Sequence, residues 1–170
     1  MSRRQDTALD QANAQMASIR DMVAALEVDY GRLEELREER DAYEVEADGL
    51  GEDWTTKFQA DADELSDLEA AAGDCESQDD AIERIREDAL SVEVRSGWHS
   101  AGESAEATEF RIVLCTGGPH VQIVGELSQG EPSRAWLEYS DWGTGLTERV
   151  NQPGDQSCLV RYASQFYFAD

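Results

Sequence analysis

Cys115 and His120, on either side of Gly117-Gly118, are the pair of residues best suited to covalent chemistry. A thiol and an imidazole this close could serve as nucleophile and base, with the glycine amides as an oxyanion hole. The opposing expectation is the simpler one. Cys115 ends an apolar run, where a thiol is ordinarily buried and inert, and nearness in sequence does not create catalytic geometry. Gly117-Gly118 could instead form a backbone nest for an anion. The chain lacks GxxxxGK[ST], however, and no helix start follows, so a hairpin turn is the expected role. His99, His120 and the three cysteines lack metal-ligand spacing, and no DxDxDG loop occurs. The expectation is no catalytic residue, no metal, no cofactor and no enzyme activity.

Carboxylates are the other chemical resource. The 170 residues include 38 acidic and 14 basic ones, for a net charge of −24, and Lys57 is the single lysine. Residues 1–90 hold 27 of the acids and 9 of the bases, but only 4 of the 13 aromatics. Between Lys57 and Arg84 no base occurs, while Asp61, Asp63, Glu64, Asp67, Glu69, Asp74, Glu76, Asp79, Asp80 and Glu83 all fall there. Like charges three or four apart cost a helix a few tenths of a kcal/mol per pair. A ridge that accepts this cost is a candidate surface for a basic partner; the plainer alternatives are a solvated face, solubility, or adaptation to salt. Such a surface repels nucleic acid and anionic membranes and attracts basic proteins. The expected partner is therefore a protein with a basic surface, with no direct nucleic-acid or membrane binding.

Cys75, Cys115 and Cys158 form no CxxC, and their odd number fits reduced thiols in a cytosolic protein. The first residues, MSRRQDTALDQ, lack the apolar stretch of a secretory signal, and no apolar run approaches spanning length. A cytoplasmic location is expected.

The elements that must position these residues divide in two. A heptad runs through Leu9, Met16, Val23 and Tyr30 at one seam position and Ala12, Ile19, Leu26 and Leu33 at the other. That pattern fits a coiled-coil seam and makes a homodimer through it the alternative function, that of an assembly module. After Leu33 the register slips to Leu36, Tyr43 and Leu50, a stammer next to Gly31. One helix is expected over 7–47, bending near Gly31, with Gly49-Leu50-Gly51 as its stop. Asp53 would cap a second helix, from Trp54 to Ala72, stopped by Gly73. A short link favours an antiparallel hairpin. Ser77 and Asp80 open a capping box for a third helix, Gln78–Ala89.

From Leu90 the periodicity changes from helical to alternating. Leu90, Val92 and Val94 alternate with polar neighbours, and Ser96–Ala107 is a loop. Glu109–Leu127 alternates on both sides of Thr116-Gly-Gly-Pro119, a hairpin whose sheet is covered on one side and partly on the other. Gly130-Glu-Pro132 turns into a further strand, Ser133–Ser140. Residues 157–166 fit either helix or strand, and helix is the reading taken. The expected fold is α+β: an acidic helical arm or hairpin over 1–73, coiled-coil-like, then a compact domain over 74–170 built on a small antiparallel meander with one or two packed helices.

Ala72-Gly-Asp-Cys-Glu76, Leu90-Ser-Val-Glu-Val-Arg-Ser-Gly-Trp98, Leu114-Cys-Thr-Gly-Gly-Pro119, Ile123-Val-Gly-Glu-Leu127, Asp141-Trp-Gly-Thr144 and Tyr162-Ala-Ser-Gln-Phe-Tyr-Phe168 carry a resemblance. From about Ala71 to the end, the chain resembles a group of uncharacterised small accessory proteins of tailed phages and prophages. The resemblance implies a phage–host setting and carries over no site residues. By analogy with small acidic phage proteins, it points to an inhibitor that mimics nucleic acid and occupies a basic surface of a host defence complex, as anti-CRISPR proteins do.

Overall fold

Alternation in residues 91–148 produces the sheet. In the computed structural model, which describes residues 2–46 and 54–168, β1 (Ser91–Arg95), β2 (Glu109–Cys115), β3 (His120–Ser128), β4 (Glu131–Ser140) and β5 (Thr147–Glu148) form one antiparallel meander in chain order. The register pairs Phe110 with Gly125 and Ile112 with Ile123, then Ile123 with Leu137 and Gly125 with Ala135. These residues share one face and are buried. Gly125 is needed there: a Cβ at this position would stand 2.2 Å from the Arg134 carbonyl and 2.4 Å from the Phe110 ring. Close approach of a ring and a neighbouring backbone is a recognised reason for glycine inside a strand. The 116–119 turn joins β2 to β3 as expected. Between β3 and β4 the turn is Gln129-Gly130, both at positive φ (55° and 80°), rather than Gly130-Glu-Pro132. Positive φ at both central residues makes a two-residue hairpin loop whose twist matches the strands, so β4 starts earlier, at Glu131.

Among the described residues two compact units occur, Met1–Val23 with Glu83–Asp170, and Ala24–Ile82. The domain boundary expected at 73/74 therefore coincides with neither limit of the second unit. The first unit takes most of α1 (Ser2–Leu26) and ends in α6 (Asp155–Ala163). The helix reading of 157–166 thus holds over most of its length. Helix α6 packs on β4 and buries Leu159, Tyr162 and Ala163, while Phe168 stacks on Phe110 with ring centroids 4.8 Å apart. Tyr162 donates to an Asp88 carboxylate oxygen at 2.7 Å. Burial, then the hydrogen bond and charge of Asp88, push the phenol far above its ordinary pKa.

Arg149 and Asp155 tie α1 to α6 within this unit. The Arg149 guanidinium donates to Asn13 Oδ1 (2.8 Å) and Asp155 Oδ2 (2.7 Å), and Arg20 and the Gln152 amide also donate to the Asp155 carboxylate. Asp155 is fully buried and Arg149 is 5% exposed. Burial alone would raise the Asp155 pKa, but the amide and the two guanidiniums outweigh it and hold the carboxyl below its usual range.

In the second unit the single helix expected over 7–47 is two. α1 stops at Leu26 and α2 (Tyr30–Glu46) starts after Asp29, whose side chain accepts from the Arg32 amide at 3.0 Å. An aspartate N-cap satisfies an amide that the first helical turn leaves unpaired. The register slip thus marks a capped break, and Gly31 lies inside the first turn of α2 instead of causing a bend. The second expected helix is also divided, into α3 (Trp54–Lys57) and α4 (Gln59–Ala72), with Phe58 between them. Gly73, at φ 58°, is the stop. α5 (Gln78–Asp88) is capped by Ser77 Oγ on the Asp80 amide, while Asp80 reaches back to the Glu76 amide. Val28, Leu33, Leu36, Trp54, Leu65 and Ala72 form this unit's core. The expected stop at Gly49-Leu50-Gly51 and the Asp53 cap lie outside the described residues.

Candidate functional site

Helix spacing sorts the ten ridge carboxylates into two sets. Asp61 and Glu64 meet Arg32 (3.5 and 2.9 Å), Glu69 meets Arg37 and Arg40 (3.1 and 3.8 Å), and Glu76 meets Arg37 (3.3 Å). The ridge expected to be unneutralised is therefore partly matched by arginines of α2. The pairing order is mixed, since these pairs ascend both helices together, whereas Tyr43, late in α2, meets the ring of Phe58, the residue just before α4, edge-on at 5.5 Å. Asp63, Asp67, Asp74, Asp79 and Asp80 are exposed and make no ion pair among the described residues. Asp63 accepts only from Gln59 Nε2 (2.7 Å), and Asp80 serves as a cap. Glu83 is exposed and belongs to the first unit.

Most residues of the expected coiled-coil seam are buried within the single chain. Ala12, Met16 and Ile19 have no exposed surface, Val23, Leu26 and Leu33 are buried, and Tyr30 is half-buried, its hydroxyl donating to the Ala25 carbonyl. Leu9 alone of the eight is exposed, at 37%. Apart from Leu9, the apolar stripe that reads as a dimer seam is buried or half-buried within one chain.

Cys115 and His120 also separate chemically. The Cys115 thiol donates to the Pro119 carbonyl at 3.5 Å, and the His120 ring pairs with Gln122 Oε1 at 3.0 Å. Burial pushes the Cys115 pKa up, opposed in part by the Val121 amide, which is the wrong direction for a nucleophilic thiolate. Gly118 is both turn residue and seat for an aromatic ring, since a Cβ there would stand 1.7 Å from the Trp142 ring. Among the described residues no group of three His, Cys, Asp or Glu could hold a metal ion, and no helix is long and apolar enough to cross a membrane.

Sheet register exposes a site that single-residue reading passes over. Opposite the buried face lie Glu93 and Arg95 of β1, Glu109 and Arg111 of β2, Gln122 and Val124 of β3, and Trp136 and Glu138 of β4. They line an open cleft of about 500 Å³. Arg111 pairs with Glu93, Arg95 with Glu109, and Arg134 at the rim with Glu126. Gln122, 3% exposed, donates to Glu138 at 2.8 Å, and the Trp136 indole N–H donates to the other Glu138 oxygen at 3.3 Å. The signal was present in the alternation, as polar residues interleaved with Phe110, Ile112, Ile123 and Leu137. It became legible only once the strand pairing aligned them.

No protein-family model, curated protein or solved structure matches the chain.

Proposed function

We propose that this protein acts by binding. It presents the outer carboxylates of α4, α5 and the turn between them to a basic protein surface, of the kind that otherwise holds nucleic acid. The observation that carries this reading is the division of the ridge. Arg32, Arg37 and Arg40 hold Asp61, Glu64, Glu69 and Glu76 on one side, and Asp63, Asp67, Asp74 and Asp79 are left exposed without an ion pair. Fixed arginines orient the helices, and the unmatched row supplies the field that steers a basic partner. In this reading the partner is a host complex and the protein is a phage-derived inhibitor, such as an anti-CRISPR protein would be.

The test compares capture of partners from host lysate by the native chain and by a chain with Asp63, Asp67, Asp74 and Asp79 all changed to Asn. The native chain should retain a nucleic-acid-binding protein that added duplex DNA displaces. The variant should lose it, with association rates falling steeply as salt is raised for the native chain alone. Equal retention by both chains overturns the reading.

A further inference from the structure

Every arginine on the open face of the sheet is matched by a carboxylate: Arg111 by Glu93, Arg95 by Glu109, Arg134 by Glu126. Glu138, on the same face, has no arginine partner among the described residues. Its two oxygens accept from Gln122 and Trp136, both neutral donors, and it makes no ion pair among the described residues. Its register partner on β5 is Glu148, a second carboxylate without an ion pair among the described residues. Like charges placed directly opposite on a sheet face oppose pairing, so the β4–β5 contact carries an electrostatic cost that a bound cation would remove.

The surroundings say which cation. Gln122 is buried and held from its other side by His120, so its amide N–H is aimed at Glu138 and fixes the carboxylate in place. Beside Glu138 stand the half-buried Trp136 ring and Val124, an aromatic wall and an aliphatic floor in the same cleft. One oriented carboxylate cannot complete the coordination shell of a metal ion, which takes six or more oxygens for calcium and near-octahedral geometry for magnesium. A carboxylate next to an indole does suit a guanidinium or ammonium group, by charge-assisted hydrogen bonding and cation–π attraction together. The aliphatic floor suits the carbon stem that carries such a group.

We propose that the Trp136–Glu138 cleft is a binding site for an organic monocation, a guanidinium or primary ammonium on an aliphatic stem. The cation arrives as an arginine or lysine side chain of a partner or as a free amine. The site is built from sheet residues, none of them in the acidic row of α4 and α5, and does not depend on the function proposed for that row.

The experiment follows the Trp136 indole N–H resonance while the full chain is titrated, to roughly 10 mM, one decade beyond a millimolar site. The probes are n-butylamine, N-acetyl-arginine amide and its uncharged citrulline counterpart, with sodium chloride at equal concentration as the control for screening. Both cations, or either one, should shift the Trp136 resonance saturably. Citrulline should bind at least about tenfold more weakly, a difference of one decade in affinity. Preference for N-acetyl-arginine amide assigns the site to a side chain, and preference for n-butylamine assigns it to a free amine. Glu138→Gln, which removes the charge and keeps one of the two acceptor oxygens that Gln122 and Trp136 use, should abolish saturation. Trp136→Leu, read from the Gln122 side-chain amide, should weaken binding severalfold. No saturable shift with either cation, equal binding of citrulline, or unchanged binding in Glu138→Gln overturns the proposal. The comparison of arginine with citrulline needs no variant, so it stands even where a substitution unfolds the chain.

Discussion

Asp155 is buried at the first position of α6, and its carboxylate is held by Arg149, Arg20 and the Gln152 amide. Removing one partner of a buried pair costs about 3–5 kcal/mol, because the other charge is left unmatched. Asp155→Asn should therefore lower the free energy of unfolding at pH 7 by that order, as read from urea titration. The pH dependence has a definite sign. The folded carboxyl lies below its usual range, so its contribution is full above the unfolded value of about 3.9 and is lost as pH falls through the lower folded value. Native protein should lose stability below about pH 4, and the variant should lose less of it over the same range. None of this was readable from Asp155 itself. In sequence it is one acid among 38, and its partners lie 6 and 135 positions away.

At the scale of elements, the strands were legible because alternation fixes which residue faces which side, and burial then enforces it. Phe110, Ile112, Ile123 and Leu137 were recoverable in this way, and so was the helix ending the chain, by its Leu159–Ala163 spacing. Gly125→Ala tests the tightest contact of the sheet. A methyl group there meets the Arg134 carbonyl at 2.2 Å and the Phe110 ring at 2.4 Å. Overpacking of this kind costs about 1–3 kcal/mol or more, and here a backbone carbonyl is the obstacle. The thermal midpoint should fall clearly, and Phe110→Leu in the same chain should recover only part of the loss. The break at Asp29 was misread for a physical reason: heptad counting records where apolar residues fall and not where amides need partners. Asp29 carried the signal, as a capping residue directly before Tyr30. The carboxylate ridge was overread in the same way, since composition shows no base between Lys57 and Arg84, yet Arg32, Arg37 and Arg40 reach it from another helix.

Across the whole molecule, the first unit is assembled from both ends of the chain, with 24–82 intervening. No local pattern announces this, because α1 looks continuous with the helical region that follows it, while Asn13 and Arg20 bond to residues of the first unit far along the chain. A chain lacking residues 1–23 should consequently lose more than an appendage. Arg149 would be deprived of Asn13 and Asp155 of Arg20, and buried surface of the sheet unit would be opened. Hydrogen exchange over β2–β4 should accelerate by orders of magnitude. If 1–23 were a free arm, those amides would be as protected as in the full chain.

That split architecture sets the timing of synthesis. Arg20 leaves the ribosome 135 residues ahead of Asp155. At about 5–20 residues per second, the interval is on the order of ten seconds. Over that interval Ala12, Met16 and Ile19, buried in the folded chain, precede Glu83–Asp170, the remainder of their unit. The acidic stretch that emerges behind them carries charge of one sign, which opposes association between nascent chains.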